Sequence, residues 1–238
     1  MQALILAGGK GTRLMPYTAN LPKPLMPIDN MPILEVIVKQ LKFFGVKSII
    51  MAVGHLHHMI ESYFKDGVDY GVSIKYSHET EPLGTAGPIS LVMNDLENDF
   101  LVLNGDLLTS IDFEKIYNAH ILEKSSATIA TFSRKVNIDF GVLELDEKSE
   151  LRNYTEKPTF DYKVSMGINV FNKASIKNLV KKNEYLDIPN LMIKLKNSGH
   201  KVLCHEQDCK WLDIGRVDDY EVAQKIFSED RDIFLPIR

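Results

Sequence analysis

The residues whose types and spacing most clearly suggest a chemical role lie in a glycine-rich stretch near the N-terminus. The segment LILAGGKGTRLMPYTANLPKPL places Gly8, Gly9 and Gly11 directly after a short apolar run. Glycines let the backbone adopt positive φ and turn its N–H groups toward an anion. Arg13 and Lys23 add positive charge, and a proline on either side of Lys23 restricts the backbone there. We therefore interpret this loop as a phosphate cradle rather than a simple strand-to-helix turn.

Two well-known phosphate-binding patterns do not fit this loop. The Walker pattern requires four residues between its glycines and then Gly-Lys-Ser/Thr, a spacing that is absent here. The dinucleotide fingerprint requires a third glycine and an acidic residue roughly 20 positions later, and neither is convincing. The hypothesis of a hydride-transferring dehydrogenase is therefore disfavoured. Detectable NAD binding without NTP binding would support it.

Two aspartates are candidate metal ligands. Asp106 follows the apolar run of LVLNGDLL, and ligands gather at the carboxyl ends of strands in open α/β sheets. Asp213 lies in KWLDIGR, between Trp211 and Gly215. Two carboxylates together with substrate phosphates suit Mg²⁺, which prefers oxygen ligands. Taken alone, each aspartate is more often a helix cap or turn residue than a metal ligand.

Histidines and cysteines receive no role from the sequence. His55 and His58 of GHLHHMI are three residues apart and could share a helical face, but we expect no nearby carboxylate or cysteine to complete a transition-metal set. Cys204 and Cys209 lie close enough to form a bridge, although reduced thiols are the more ordinary interpretation.

The order of apolar patterns predicts an α/β fold. Residues 2–7, 48–53 and 99–103 are apolar runs of strand length, and helical spacing lies between them. This alternation predicts a Rossmann-like, mostly parallel sheet over residues 1–125. Segments SATIATFS, FGVLELD, LRNYTEKP and VSMGINVFN then read as strands or hairpins, followed by helices near 186–197 and 217–228. We predict one mixed domain over residues 1–238 with a substrate-side insertion.

Bulk composition excludes several classes of partner. The net charge of −4 argues against a general nucleic-acid surface. The chain has neither an apolar stretch long enough to cross a bilayer nor the pattern of a signal peptide, so we expect a cytoplasmic protein without a membrane partner. The C-terminal RDIFLPIR packs either on the core or on a second subunit, which leaves a homo-oligomer open.

The same glycine loop resembles the signature of the sugar-1-phosphate nucleotidylyltransferases, roughly GG-x-GTRL-x-P-x-T-x(3)-PKP. The resemblance continues through EPLGTAGPI, LNGDLL, TEKP, SMGINVF and WLDIGRVDDY in family order. It implies a GT-A-like nucleotidyltransferase fold, with a nucleotide-binding half at 1–125 and a sugar-binding half at 126–238. It also implies transfer of a nucleoside monophosphate from an NTP to a sugar 1-phosphate, with Mg²⁺ as cofactor and pyrophosphate as the leaving product.

The resemblance assigns roles to individual residues. Those implied in catalysis are Arg13, Lys23, Asp106, Lys157 and Asp213. Those implied in nucleotide binding are Leu6, Ala7, Gly8, Gly9, Gly11, Thr12, Arg13, Lys23, Gly84 and Thr85. Those implied in sugar-phosphate binding are Gly141, Glu156, Lys157, Gly167 and Asn169. The implied metal ligands are Asp106 and Asp213.

Without the resemblance, two of these segments have ordinary interpretations. Gly84 and Thr85 lie at an expected helix start, which could be a plain helix entry or a close approach to a flat base. Glu156 and Lys157 would point to opposite faces of a strand and could simply be solvated surface residues.

The implied chemistry needs no nucleophilic side chain. A sugar phosphate has a second pKa of about 6, so its oxygen is already anionic at neutral pH. The protein's task is to bring two anions together and align the attack. A non-catalytic nucleotide sensor on the same fold could lose the five implied catalytic residues, whereas this chain retains them all.

The chain also resembles the catalytic part of the guanylyltransferases of bacterial legionaminic acid synthesis, which act on glucosamine 1-phosphate. The segments NGDLLTSIDF, YLDIPNLMIKL and WLDIGRVDDYE carry it. Those proteins commonly have an additional pair of regulatory CBS domains, which we expect to be absent here or supplied elsewhere. GTP with mannose 1-phosphate or a heptose 1-phosphate is the nearest alternative, followed by uridylyl or thymidylyl transfer.

Overall fold

A computed structural model describes residues 1–235 of the chain. Its strands are β1 Gln2–Ala7, β2 Pro27–Ile28, β3 Met31–Pro32, β4 Ser48–Val53, β5 Ser73–His78, β6 Asp99–Asn104, β7 Leu107–Thr109, β8 Ala127–Asn137, β9 Val142–Leu145, β10 Leu151–Thr155, β11 Thr159–Asn172, β12 Val202–Glu206 and β13 Trp211–Asp213. Its α-helices are α1 Ile33–Phe43, α2 His57–Phe64, α3 Ile89–Val92, α4 Phe113–Leu122, α5 Lys173–Ile176, α6 Ile188–Asn197, α7 Val217–Glu229 and α8 Arg231–Phe234. Short 3₁₀ helices cover Thr12–Leu14, Lys23–Leu25 and Val68–Tyr70.

The main sheet confirms the predicted α/β class with a mostly parallel mixed sheet. Within the described residues its strand order is β12-β8-β11-β6-β1-β4-β5. Strand β1 pairs in parallel with both β4 and β6, whereas β11 is antiparallel to β6 and β8. The chain runs outward from β1 to β5 and then returns to β6 on the other side of β1. This reversal creates a topological switch point at the carboxyl ends of β1 and β6, where ligands bind in open α/β sheets.

Helices cover both faces of the sheet. Leu34 and Ile37 of α1 belong to a core cluster on one face, together with residues of α2 and α4. Ile89, Ile176 and Leu191 bring α3, α5 and α6 to the other face. This two-sided burial explains why the central strands read as continuous apolar runs rather than alternating ones.

A third cluster attaches the C-terminal helices to the signature loop. Leu14 of the loop packs with Ile214, Phe227 and Phe234, all of which are buried. The first part of RDIFLPIR therefore packs on the core, while residues 236–238 lie outside the described residues. No helix within residues 1–235 is long and apolar enough to cross a bilayer.

The distal parts of β8 and β11 extend together as an arm. They pair continuously from Thr159 opposite Asn137 to Ser165 opposite Thr131, and the hairpin of β9 and β10 lies between them in sequence. Phe140, Leu143 and Leu151 in this region are exposed. The four predicted strand segments are thus confirmed, although β8 and β11 are longer than their apolar patterns indicated.

Burial of His120 predicts a specific loss of stability in acid. Its ring lies within hydrogen-bond distance of Thr128 Oγ1, at 2.8 Å, and of Asp99 Oδ1, at 3.2 Å. Burial lowers the pKa of His120 below its ordinary value of 6.5, despite the opposing effect of Asp99. His120 takes up a proton more readily in the unfolded chain than in the folded one. The free energy of unfolding therefore decreases as pH falls below about 6.5.

We expect His120→Gln to lose less unfolding free energy between pH 7.5 and pH 5.5 than the wild type. Urea unfolding at the two pH values measures this difference, and His58→Gln, at an exposed position, serves as the control. Equal losses in His120→Gln and the wild type would contradict the assignment.

Candidate active site

A cavity of about 240 Å³ lies at the switch point of the sheet. Its lining residues that the sequence predicted are Leu6, Ala7, Gly9, Gly11, Thr12, Arg13, Lys23 and Asp106. Pro24 and Gly215 also line it and were not predicted, although each is adjacent to or near a predicted residue in PKP and WLDIGR. The structure therefore brings the glycine loop, both loop cations and one metal-ligand candidate to a single concave site.

Lys23 is a buried cation rather than an exposed loop lysine. Only 8% of the residue is accessible to solvent, and its Nζ pairs with the carboxylate of Asp106. Pro22 adopts an extended conformation and Pro24 lies inside the 3₁₀ helix that begins at Lys23. These restraints place the ammonium group in the cavity, in agreement with the interpretation of the PKP segment.

A small ribbon brings the two aspartates together. β13 pairs antiparallel with β7 so that Asp213 lies opposite Leu107, the residue after Asp106. The N–H of Ile214 also donates to the Asp106 carbonyl at 3.3 Å. Asp213 as a whole is exposed, but its surroundings in the cleft raise the pKa of its carboxyl group. Partial loss of hydration and the negative charge of Asp106 both disfavour the ionised form. Lys23 and Arg13 act in the opposite direction, so all four charges lie within electrostatic reach.

The two carboxylates fit a divalent oxygen-binding cation. Asp106 Oδ1 is buried and has no hydrogen-bond partner among the described residues, while Oδ2 is occupied by Lys23. A buried acceptor without a partner is unfavourable unless a further group satisfies it. Together with Asp213, it offers the hard oxygen donors that Mg²⁺ prefers, with room left for substrate oxygens.

Arg13 lies beside the segment that follows β13. A Cβ added to Gly215 would lie 3.6 Å from an Arg13 Nη atom, which places the guanidinium beside the backbone that follows β13. The carboxylate of Asp219 accepts hydrogen bonds from the N–H groups of Gly215 and Arg216, at 3.2 and 2.8 Å. The start of α7 thus fixes the segment against which Arg13 lies.

Gly11 has a conformation that only glycine adopts cheaply. Its φ is +62°, and an added Cβ would lie 3.0 Å from Thr18 Cγ2 and 3.1 Å from Lys23 Cβ. Gly9, by contrast, has open space around its missing Cβ. We expect Gly11→Ala to lower the unfolding free energy by about 1–2 kcal/mol, because a left-handed conformation is costly for a residue with a Cβ.

Gly9→Ala is the matched control for Gly11→Ala. Urea unfolding should show a substantial destabilisation for Gly11→Ala and little change for Gly9→Ala. Equal effects of the two substitutions would contradict the assigned loop geometry.

Gly8 faces away from the cavity toward a residue that the sequence did not predict. A Cβ on Gly8 would lie 2.7 Å from Glu79 Oε1, and Glu79 accepts a hydrogen bond from the N–H of Leu83 at 3.1 Å. Burial raises the pKa of Glu79. Glu79 follows β5, a strand whose sequence SIKYSH carries too few apolar residues to be identified as a strand from its pattern.

Gly84 and Thr85 do not start a helix. They lie in turns, and α3 begins only at Ile89, so the expected helix entry was wrong. The Thr85 hydroxyl donates to Asp187 Oδ1 at 3.2 Å and accepts from the N–H of Ile188 at 2.8 Å. Their local role is thus to join this loop to the start of α6, a long-range contact that the local sequence could not reveal.

Three of the sugar-side candidates flank the hairpin formed by β9 and β10. A Cβ on Gly141 would meet the Tyr154 hydroxyl at 2.4 Å, and this hydroxyl donates to Glu156 Oε2 at 3.1 Å. Glu156 and Lys157 lie in a bend after β10 ends at Thr155, so the strand alternation considered for them does not apply. Both are exposed, and neither lines the cavity described above.

Gly167 and Asn169 lie in the main sheet beside β6. Gly167 has a φ of +73°, and a Cβ there would meet Asn104 Nδ2 at 2.7 Å. The register of β11 against β8 shifts between Ser165 and Asn169. Asn169 is almost fully buried, yet neither polar atom of its side chain has a hydrogen-bond partner among the described residues. This amide therefore lacks the partners that a buried polar group ordinarily has.

A larger cleft of about 500 Å³ lies between the signature loop and α7. Its lining includes Tyr17, Leu21, Met26 and Tyr220, with Glu221 as its charged residue. Its lining lacks the cations, the aspartate and the glycine backbone of the smaller cavity. The larger volume therefore does not identify the functional site. The chemistry of the lining residues assigns the candidate site to the smaller cavity.

The fold and the cavity together define an α/β protein whose switch-point cavity is lined by cations, a carboxylate and glycine backbone. The chain belongs to the nucleotidyl transferase family, whose model matches residues 2–229. This confirms the family indicated by the signature loop and its accompanying segments.

Individual relatives agree with this assignment. The chain is 33% identical to the UTP–glucose-1-phosphate uridylyltransferase of Synechocystis, over 92% of this chain and 61% of that protein. It is 34% identical to the D-glycero-alpha-D-manno-heptose 1-phosphate guanylyltransferase of Aneurinibacillus thermoaerophilus, over 94% of this chain and 97% of that protein. The crystal structure of HddC from Yersinia pseudotuberculosis matches with a TM-score of 0.72 and 26% identity, covering 95% of this chain and 99% of that one.

Proposed function

We propose that this protein transfers a nucleoside monophosphate from an NTP, preferentially GTP, to a sugar 1-phosphate and releases pyrophosphate. The observation that carries the proposal is the cavity in which Lys23, Arg13 and Asp106 meet beside the glycine loop, with Asp213 within electrostatic reach of them. Cations beside an anion-binding backbone favour a polyphosphate substrate. The paired carboxylates favour a divalent cation on that substrate, as in other phosphoryl-transfer sites.

The chain's own residues would supply positioning and charge neutralisation. The N–H groups of the glycine loop and the Arg13 guanidinium would hold the triphosphate, and Lys23 would lie beside the reacting phosphate. Asp106 and Asp213 would hold Mg²⁺, which when bound neutralises phosphate charge and withdraws electron density from phosphorus. The sugar phosphate oxygen is anionic at neutral pH, so the attack on the α-phosphorus requires no general base.

The choice of GTP rests on a relative with nearly equal length. The Aneurinibacillus protein is named as a guanylyltransferase, and this chain covers 97% of it. The Synechocystis protein is named as a uridylyltransferase, and the chain spans only 61% of it. Uridylyl transfer is therefore the second candidate, with glucose 1-phosphate as its acceptor, and thymidylyl transfer follows.

Two acceptor sugars have support, one from the comparisons and one from the sequence resemblance. A heptose 1-phosphate is supported by the Aneurinibacillus relative, and glucosamine 1-phosphate by the resemblance to guanylyltransferases of legionaminic acid synthesis. Either product would be an activated glycosyl donor. This supports a role in supplying bacterial surface glycan synthesis.

Asn169 is the sugar-side residue with the most specific prediction. Because its buried amide has no partner, Asn169→Leu should leave the unfolding free energy unchanged or raise it slightly. If the amide binds sugar hydroxyls, the same substitution should raise KM for the sugar 1-phosphate by about tenfold, the equivalent of one good hydrogen bond. Steady-state kinetics and urea unfolding measure the two effects, with exposed Asn118→Leu as the control. A stable variant with unchanged KM would contradict the sugar-side role.

Pyrophosphate release tests the whole proposal. GTP, UTP, dTTP, CTP and ATP are each combined with glucosamine, heptose, mannose and glucose 1-phosphates, with and without Mg²⁺. We expect the fastest release from GTP with one of the first two sugars, and only with Mg²⁺. Preferential use of UTP with glucose 1-phosphate would replace the guanylyl assignment, and nucleotide binding without release from any pair would favour a non-catalytic sensor.

A further inference from the structure

Two histidines and a glutamate gather at the outer edge of the main sheet. His57 begins α2, Glu61 lies one turn later, and His78 is the last residue of edge strand β5. His57 Nδ1 is 2.8 Å from Glu61 Oε1, and His78 Nε2 is 3.5 Å from the same oxygen. One ligand atom from each residue lies within 4.8 Å of the other two.

The expectation that no carboxylate lies near the histidines of GHLHHMI was wrong for His57. Residues four apart on a helix lie above one another, which brings Glu61 to His57. The parallel pairing of β5 with β4, which precedes α2, then carries His78 to the same place. The relevant histidine of GHLHHMI is His57 rather than His55 or His58, and its partners come from outside that segment.

The spacing of these donors matches a small tetrahedral ion. A zinc ion bound at 2.0–2.1 Å holds its donor atoms about 3.3 Å apart. The two measured separations, 2.8 and 3.5 Å, lie on either side of this value. The imidazoles are about half exposed, so small side-chain rotations can close the remaining His57–His78 separation and an ion can enter from solvent.

We propose that His57, Glu61 and His78 form a binding site for a divalent transition-metal ion of the zinc class. Two imidazole nitrogens and one carboxylate oxygen favour Zn²⁺, Co²⁺ or Ni²⁺ over Mg²⁺. The fourth position is open to water. This site differs in donor chemistry from the all-oxygen pair Asp106 and Asp213.

The site adjoins the nucleotide loop through the backbone. His78 directly precedes Glu79, whose carboxylate lies against Gly8. A bound ion would tie the end of β5 to the start of α2 at the rim of this loop. Because an ion that binds the native state alone stabilises it, loading the site should raise the melting temperature.

Equilibrium dialysis of the full chain against Co²⁺, in excess Mg²⁺ to fill oxygen-only sites, tests the proposal. We expect one Co²⁺ per wild-type chain, with visible absorption typical of a four- or five-coordinate ion. His78→Gln and Glu61→Gln should each weaken binding by at least about tenfold, since even second-shell partners contribute that much.

Two control variants test whether cobalt binds to a neighbouring imidazole or to a thiol instead. His58→Gln removes a neighbouring exposed imidazole that does not belong to the cluster, and Cys209→Ser removes a half-buried thiol that could bind cobalt independently. Both should retain wild-type affinity. Absence of Co²⁺ binding in the wild type, or affinity unchanged in His78→Gln and Glu61→Gln, would overturn the proposal. Because the readout is metal content, its failure would leave the proposed transferase activity unaffected.

Discussion

Asp106→Asn should lower kcat for nucleotidylyl transfer by about a thousandfold, roughly 4 kcal/mol of transition-state stabilisation. The substitution preserves size but removes the negative charge that pairs with Lys23 and that would hold Mg²⁺. The buried Oδ1, which has no partner among residues 1–235, is the atom that leads to this expectation. Substrate-dependent pyrophosphate release at saturating substrates measures the effect.

Asp69→Asn provides the matched control for this substitution. Asp69 is an exposed carboxylate that pairs with Lys65 across solvent, so its loss should leave kcat within about twofold, as for a weak surface pair. Full activity of Asp106→Asn with every substrate pair would show that Asp106 does not hold the catalytic metal.

Lys23→Gln should lower kcat/KM by about a hundredfold to a thousandfold, the usual cost of removing one preorganised group that stabilises developing charge. Lys23 is the buried cation of the cavity, so no solvent-exposed side chain can simply take its place. Lys10→Gln, in the same loop but exposed, should retain nearly full activity. Equal loss in both variants would indicate a general effect of loop charge.

The double variant separates the catalytic and structural effects of Lys23. Removing Lys23 alone leaves the Asp106 carboxylate without its partner, which should also destabilise the fold. Adding Asp106→Asn removes that unpaired charge, so the double variant should recover unfolding free energy but no activity. Recovery of activity together with stability would mean that Lys23 acts only through folding.

The nucleotide side of the site could be predicted from sequence because its residues are local. The glycine loop, Arg13 and Lys23 lie within one short segment, and Asp106 follows a strand whose apolar run is unmistakable. The apolar runs that gave β1, β4 and β6 are confirmed because central parallel strands are buried on both faces.

Long-range pairing produced the features that the sequence did not reveal. Thr85 meets Asp187 only because α6 returns to this loop, and Glu61 meets His78 only because β5 joins the edge of the sheet. The arm extends beyond its apolar segments because continuous pairing of β8 with β11 supports polar residues such as Arg134 and Lys163. The catalytic and sugar-phosphate roles of Lys157, and the sugar roles of Gly141, Glu156 and Gly167, stay predictions.

Transfer of label from GTP tests the central claim most directly. The protein is incubated with Mg²⁺, the preferred sugar 1-phosphate and GTP carrying ³²P at the α-phosphate, and the products are separated. The proposed attack on the α-phosphorus predicts labelled GDP-sugar and an equal amount of unlabelled pyrophosphate, with neither formed by Asp106→Asn. Attack at the γ-phosphorus, which would release labelled GDP, or at the β-phosphorus, which would release labelled GMP, without a labelled sugar nucleotide, would contradict it.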